Sequence, residues 1–270
     1  MPGKYLVSTS GGKLSIEKLT ASQKLPNRPF FLSSNHGEFF GMATFAAMQD
    51  RIPFGSTLLH FDAHHDLSGI DKQKPVPKTQ EEALSIEYPE ADFVYPLFSN
   101  GVINRFFWVL PIGVTRDNMD EYLYTFGGMP HNIFPVIFNP NDLTSHCNAS
   151  GTIIVRKNDQ PNPMVFLGCL LFSELPELLG KLDPNFTVID LDSDYFGSRH
   201  PSDRPGLAQY FPTDLRNGIW QFFQQFTNNR FSPVAGNLAL SPDYFFRNDA
   251  SIDRFAADFF LALRGSGLFI

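Results

Sequence analysis

The segment TLLHFDAHHD (57–66) joins an apolar run to a cluster of acidic and imidazole side chains. Its first part, TLLHFD (57–62), turns acidic at its carboxyl end, and FTVIDLD (186–192) repeats this pattern later in the chain. Continuous apolar runs of this length are typical of strands that are buried on both faces of a parallel sheet. Both segments are therefore predicted to be central strands that deliver acidic side chains to one edge of a sheet.

The sequence around these two runs indicates alternating strands and helices. FFWVLPIG (106–113) and VAGNLALS (234–241) are predicted to be further central strands. Helical spacing and length occur at 38–50, 170–182 and 214–227. This alternation predicts an α/β fold with three layers (αβα) around a mainly parallel sheet.

The length of 270 residues suits a single domain spanning 1–270. Residues 67–90 interrupt the alternation and are predicted to form a long loop with room for one short helix. Residues 129–165 are rich in Pro, Asn and Gly around the strand-like GTIIVRK (151–157), which we interpret as an inserted loop or hairpin. A solvent-exposed loop without a function explains residues 129–165 equally well.

Composition narrows the class of protein. The formal net charge of −7 argues against a nucleic-acid partner, which requires clustered Lys and Arg. The first residues lack the pattern of a signal peptide, and no apolar run approaches the roughly 20 residues that span a bilayer. The two cysteines, Cys147 and Cys169, form no disulfide framework. We therefore expect a cytoplasmic protein without a membrane or nucleic-acid partner, whose oligomeric state the sequence does not indicate.

Asp62, His64 and Asp66 are spaced by two residues at the end of the first predicted strand. On an extended chain such residues point to the same side, so their ligand-type side chains are predicted to converge. His65 points the other way and is predicted to be structural. His60 shares the parity of the triplet one step deeper, which makes it a candidate for supporting a metal ligand.

Asp190, Asp192 and Asp194 repeat this spacing in IDLDSDYF (189–196). Crowded carboxylates at a buried strand end repel one another and are costly to desolvate unless a cation compensates their charge. Capping of a following helix is the alternative explanation for one such segment, whereas two segments together favour a metal site. His36 lies just before the predicted helix at 38–50. It is a candidate metal ligand only because these two acidic segments are also present.

NHGE (35–38), DAHHD (62–66) and DLD (190–192) together resemble the motifs that bind two manganese ions in the arginase and ureohydrolase superfamily. The resemblance implies an arginase/deacetylase-like version of the three-layer fold. It implies one Mn²⁺ bound by His36, Asp62, Asp66 and Asp190, and a second bound by Asp62, His64, Asp190 and Asp192. Four carboxylates favour a hard ion such as Mn²⁺ over a structural Zn²⁺, and other divalent ions are possible.

Longer segments, among them LLHFDAHHDL (58–67) and LALSPDYF (238–245), resemble the peptide arginases, which convert arginine within ribosomally made peptides to ornithine. The resemblance implies an Mn-dependent hydrolase of linear amidines, with an arginine-containing precursor peptide as its partner and urea as a product. Residues 67–90 contain no Asn or His. Free-arginine arginases hold the α-carboxylate and α-amine with Asn, Ser and His groups, and the Asn and His of that set are absent here.

Residues at or near the metal ligands are candidates for further roles by their position in the sequence. Asp66 would accept a hydrogen bond from the nucleophile and pass a proton to the leaving amine. Glu38 would orient His36, assist proton transfer or cap its helix, and His200 is a candidate proton shuttle. No glutamate follows Glu177, so the glutamate that grips the guanidinium in the family has no direct counterpart.

Asp243 is the substitute for that glutamate by position, with a turn or helix cap after Pro242 as the alternative. Other functions also fit the sequence. One is a ureohydrolase of a small guanidino compound such as agmatine or free arginine. A second is a deacetylase-like amidohydrolase with one zinc ion, and a third is a non-catalytic peptide-binding module with a degenerate metal site.

Overall fold

The computed structural model describes residues 3–10, 13–66, 76–86, 88, 93–126, 166–198, 207–245, 247 and 250–269. In chain order the strands are β1 (Lys4–Ser10), β2 (Lys13–Lys18), β3 (Phe30–Ser33), β4 (Ser56–Phe61), β5 (Ile103–Val109), β6 (Phe166–Leu170), β7 (Thr187–Asp192) and β8 (Ala235–Ala239). The helices are α1 (Phe39–Met48), α2 (Gln80–Ser85), α3 (Val94–Ser99), α4 (Met119–Phe126), α5 (Leu175–Leu179), α6 (Leu215–Asn228) and α7 (Ile252–Ser266). The predicted insertion at 129–165 lies outside the described residues, and the single-domain interpretation stays a prediction.

The eight strands form one sheet in the order β2-β1-β3-β8-β7-β4-β5-β6. The five pairs from β3 to β6 are parallel, whereas β1 pairs antiparallel with both β2 and β3. The prediction of a mainly parallel sheet is therefore confirmed, with an antiparallel extension at one side.

The two central strands, β4 and β7, have every residue buried. Side chains alternate along a strand, so Leu58 and Val188 face one core while Leu59 and Ile189 face the other. Helices α1 to α4 contribute to the first core and α5 to α7 to the second. The three-layer prediction is confirmed, because helices cover both faces of the sheet.

His60 of β4 and Asp190 and Asp192 of β7 share the parity of Leu58 and Val188, which places them on the α1 side of the sheet. Register pairs His60 with Asp190 and Phe61 with Leu191. On the same side, a short 3₁₀ helix at His36–Glu38 leads directly into α1. Two strand ends and one helix start therefore bring the predicted ligands to a common edge.

In the described part of the chain, no helix is both long and apolar enough to cross a bilayer.

Candidate metal centre

Four buried side chains form what we call the inner group, namely His36, His60, Asp62 and Asp66. One ligand atom from each lies within 4.8 Å of the others. His36 Nδ1 is 2.8 Å from Asp62 Oδ2 and 3.0 Å from Asp66 Oδ2. His60 Nε2 lies 3.7 Å and 3.9 Å from the same two oxygens. Two imidazoles thus face one pair of carboxylates.

Three further side chains, Asp62, His64 and Asp194, form what we call the outer group, again with ligand atoms within 4.8 Å of one another. His64 Nδ1 lies 3.3 Å from Asp62 Oδ1 and 3.0 Å from Asp194 Oδ2. Asp62 therefore belongs to both groups, with one oxygen facing each. The His64 side chain is 32% exposed, whereas no side chain of the inner group exceeds 7%. The outer group is the one that is accessible to solvent.

The two remaining predicted ligands, Asp190 and Asp192, contact His36 from different sides. Asp190 Oδ2 lies 2.6 Å from His36 Nε2, and Asp192 Oδ2 lies 3.3 Å from His36 Nδ1. Both carboxylates also accept hydrogen bonds from strand β8 and the residues that follow it. Asn237 Nδ2 donates to Asp190 Oδ1 over 2.8 Å, and Ser241 Oγ donates to Asp192 Oδ2 over 2.5 Å. The structure therefore brings all six predicted ligands into one cluster.

The segment that follows β4 is held by neighbouring aromatic residues. Trp108 Nε1 donates to the carbonyl oxygen of Asp62 over 2.9 Å, and the Tyr122 hydroxyl donates to that of Ala63 over 2.5 Å. Asp66 adopts a left-handed backbone with φ of 52°, which Asp and Asn tolerate better than most residues do. These contacts fix the segment that carries three of the predicted ligands.

The cluster leaves buried nitrogen atoms without hydrogen bonds. Both ring nitrogens of His36 and Nε2 of His60 have no hydrogen-bond partner among the described residues, although carboxylate oxygens lie close to them. Buried polar groups normally have such partners, and crowded buried carboxylates are costly without a compensating cation. A divalent cation can bind one nitrogen of each ring together with the carboxylate oxygens around it. Imidazole together with carboxylate suits Mn²⁺ and similar ions, so the residues fit a metal site.

Burial and mutual charge shift the pKa values of the cluster. Burial, with repulsion from Asp62, raises the pKa of Asp66 to about 6. Burial, with repulsion from Asp194, raises the pKa of Asp192 well above its usual range. Burial opposes the charged form of His36, but the attraction of Asp190 and the close carboxylates of Asp62 and Asp66 outweigh it and raise its pKa. Without a cation, the cluster therefore retains protons near neutral pH.

Mn²⁺ binding is expected to weaken as the pH falls. A cation needs the lone pairs that these protons occupy. For each group that must lose a proton, the Mn²⁺ affinity therefore falls about tenfold for every unit that the pH drops below the pKa of that group. The proton on His36 competes with Mn²⁺ across neutral pH, because the pKa of His36 is raised. The proton on Asp66 competes as well below about pH 6. Calorimetric titration with MnCl₂ between pH 6 and 8, in buffers of different ionisation enthalpy, measures both the affinity and the protons released. An affinity independent of pH would contradict this expectation.

Two of the other predicted site residues lie among the described residues. Glu38 is buried, and its Oε2 accepts from the backbone N (2.9 Å) and Oγ (3.2 Å) of Ser34. These contacts join Glu38 to a residue before the 3₁₀ helix, and its side chain makes no capping hydrogen bond at the start of α1, so its role stays a prediction. Asp243 is exposed, two residues beyond Ser241. His200 lies outside the described residues, so its proposed role stays a prediction.

The structure adds residues to the site that the sequence analysis left aside. Asp194 had the right spacing but was not assigned as a ligand, and it contacts His64 in the outer group. His60, expected only to support a ligand, has Nε2 directed toward the inner carboxylates. Asn237 and Ser241 gave no signal, because their contacts depend on the pairing of β8 with β7.

No known family model matches the sequence, and no curated protein matches it. Several solved structures that are similar to the chain are arginases. The arginase from Medicago truncatula has a TM-score of 0.40 at 17% identity over 88% of this chain and 58% of its own. The arginase from Bacillus cereus has a TM-score of 0.40 at 10% identity over 90% of this chain and 71% of its own. The chain thus spans 58% of the length of the first of these enzymes. Because these similarities are low, function has to be inferred from this chain's own residues.

Proposed function

We propose that the chain is a hydrolase that uses two divalent cations, Mn²⁺ foremost, to convert peptidyl arginine to ornithine with release of urea. The observation that carries the proposal is the set of buried imidazole nitrogens without hydrogen bonds, each facing aspartate oxygens. Such an arrangement is unfavourable in itself and is explained by a cation that binds both kinds of group.

The ligand groups divide between two cation positions. We assign the inner position to His36, Asp62, Asp66 and Asp190, whose Oδ2 lies 2.6 Å from His36 Nε2. We assign the outer position to Asp62, His64, Asp190 and Asp192, with Asp194 as an added candidate because it contacts His64. Bound divalent cations supply hydroxide at neutral pH by lowering the pKa of water, and they stabilise negative charge in the reaction.

The protein's own residues would bind the substrate and handle protons. The aspartates of the two groups, with a chain charge of −7, attract a cationic guanidinium. Asp66 is the buried carboxylate that we assign to accept a proton from the nucleophile and return it to the leaving amine. Asp243, exposed beyond Ser241, remains our candidate for binding the guanidinium.

Two observations support a peptide as the substrate. The outer group is open to solvent at His64, so an arginine side chain can approach from outside while its backbone stays at the surface. In addition, residues 67–90 contain no Asn or His to bind a free α-carboxylate and α-amine. An arginine whose α-groups are already in peptide bonds has no need of such residues.

The test compares three substrates in the presence of MnCl₂: a blocked arginine peptide, free arginine and agmatine. We expect urea from the blocked peptide, with a mass loss of about 42 Da at arginine as the guanidino group is hydrolysed to an amine. A blocked lysine peptide serves as the control for mass changes that do not involve the guanidino group.

The other outcomes identify the alternatives. Urea from agmatine or free arginine, with none from the peptide, would replace the peptide substrate by a small guanidino compound. Activity on an acetylated lysine peptide with one bound Zn²⁺ would indicate a deacetylase-like amidohydrolase. Two bound Mn²⁺ ions without urea from any of these substrates would refute the ureohydrolase assignment.

A further inference from the structure

An exposed aromatic residue, Tyr244, lies beside the outer group. Its ring and the ring of His64 form a T-shaped pair, with centroids 6.3 Å apart and planes at 71°. Tyr244 is 45% exposed. Two other exposed aromatic residues, Phe54 and Phe186, lie just before β4 and β7, at the ends of those strands that are opposite to the metal ligands. Tyr244, in contrast, is exposed at the edge of the sheet that carries the site.

A tight turn after β8 fixes the position of Tyr244. The carbonyl oxygen of Ser241 accepts hydrogen bonds from the backbone N–H groups of Tyr244 and Phe245, each over 3.0 Å. Ser241 Oγ also donates to Asp192 Oδ2, so the residue that closes the turn contacts a predicted metal ligand. The Phe245 ring is buried, with its centroid 5.2 Å from that of Phe255 in α7. The backbone of Tyr244 is therefore held at a defined place relative to the cluster.

A ligand that approaches the outer group from solvent passes close to Tyr244. In this group the His64 side chain is 32% exposed, whereas the side chains of Asp62 and Asp194 are exposed by no more than 3%. The ligand therefore reaches the group along the exposed part of His64. An aromatic ring attracts a cation that lies within about 6 Å of its centroid. Because the rings of Tyr244 and His64 are neighbours, a cationic group beside His64 is within reach of the Tyr244 ring.

An aromatic ring suits this place better than a further carboxylate does. A carboxylate next to the outer position would bind the metal cation itself, and the bound cations repel a positively charged guanidinium. The face of an aromatic ring attracts a guanidinium without competing for the metal. A guanidinium is also planar and weakly hydrated, so it stacks on aromatic rings more readily than an ammonium group does. Tyr244 thus offers the substrate an attraction that the metal ligands lose once the cations are bound.

We propose that Tyr244 is a substrate-binding residue whose ring packs against the guanidinium of arginine as the side chain enters the outer position. The inference rests on the proposed function, since it requires a guanidinium substrate. The ring makes the contact and the hydroxyl group does not, so phenylalanine can replace tyrosine but an aliphatic residue cannot. This contact adds to the negative charge that Asp243 supplies from the preceding position.

The first test measures KM and kcat for urea release from a blocked arginine peptide by the Mn²⁺-loaded chain and three variants. Tyr244→Leu is expected to raise KM about 2- to 30-fold, the range for loss of a cation–π contact, while kcat stays within about twofold of the wild type. Tyr244→Phe should keep the wild-type KM. Phe54→Leu is the matched control at an aromatic residue that is 61% exposed near the opposite end of β4, and it should change neither value.

A second measurement separates attraction for the charge from a change in the shape of the site. A blocked citrulline peptide has nearly the shape of the arginine peptide but carries a neutral ureido group, so it serves as a competitive inhibitor. Its inhibition constant in Tyr244→Leu should stay within about twofold of the wild type, because a neutral group gains little from the ring face. An equal loss for both peptides would mean that Tyr244 acts through shape alone and would overturn the proposal.

These outcomes separate this inference from the proposed function. Urea release with a wild-type KM in Tyr244→Leu would refute the Tyr244 contact and leave the hydrolase in place. If no guanidino substrate releases urea, calorimetric titration of the Mn²⁺-loaded chain with the same two peptides replaces the kinetics. Weaker binding of the arginine peptide alone in Tyr244→Leu would then refute the proposed reaction and leave the contact standing. If the wild-type chain binds neither peptide, both proposals fail together.

Discussion

Asp62→Asn is expected to remove tight binding of both cations and to lower urea release by about a thousandfold or more, since metal ions contribute several kcal/mol to catalysis. Asp62 is shared by the two groups, because Oδ2 lies 2.8 Å from His36 Nδ1 and Oδ1 lies 3.3 Å from His64 Nδ1. Burial opposes its charged form, but the contacts with His36 and His64 hold its pKa well below the usual range. The substitution therefore removes a carboxylate that is ionised before any cation arrives.

Loss of cation binding in Asp62→Asn can be separated from loss of the fold. The backbone carbonyl of Asp62, which accepts from Trp108 Nε1, is retained in the variant, and Asn has nearly the same volume. The thermal midpoint of the wild type should rise with MnCl₂, because a ligand that binds only the native state stabilises it. That rise should vanish in Asp62→Asn and persist in Asp183→Asn, a matched change at an exposed cap near the opposite end of β7. An undiminished rise in Asp62→Asn would show that the cations bind elsewhere.

The central strands were predictable because they are continuous apolar runs with no competing helical pattern. The predicted segments 57–62 and 186–192 correspond to β4 at Ser56–Phe61 and β7 at Thr187–Asp192. The edge strand β2 gave no such signal, since KLSIEK is mostly exposed and alternates weakly. An edge strand takes its stability from pairing with a neighbour, which a local pattern does not reveal.

The predicted helix at 170–182 shows where an apolar run is ambiguous. Its first residue ends strand β6 at Leu170, and the helix α5 extends only over Leu175–Leu179. A short apolar segment fits a buried strand or a buried helix equally well. Pro176 favours a helix start at this point, because proline lacks the N–H that a helix interior requires.

At the site, spacing predicted which side chains come together but not how deep each one lies. Asp62, His64 and Asp66 do lie at one edge, but β4 ends at Phe61 and Asp66 has a left-handed backbone, so the alternation of an extended strand does not account for their positions. The depth of Asp190 depends on its pairing with His60 across two strands that are far apart in sequence. Register of this kind is set by tertiary packing, so a motif match alone could not predict which carboxylates approach His36 and which approach His64.

Asp66→Asn is expected to lower urea release by about 10²- to 10⁴-fold, the usual contribution of a positioned acid or base, while the chain remains folded. Asparagine tolerates the left-handed backbone at this position, where φ is 52°, as well as aspartate does. The change therefore removes the negative charge and the proton acceptor with little strain. Circular dichroism and the thermal midpoint should stay close to those of the wild type.

The metal content of Asp66→Asn distinguishes it from Asp62→Asn. Asp66 belongs to the inner group alone, so the outer group of Asp62, His64 and Asp194 keeps all its members. Metal analysis after dialysis against limiting Mn²⁺ should therefore give about one ion per chain, against two in the wild type, if each position binds one ion. Near-full turnover by this variant would mean that Asp66 neither transfers the proton nor holds a cation that the reaction needs. A variant that binds both ions but is inactive would assign Asp66 to proton transfer alone, because the cation positions would then be complete without its charge.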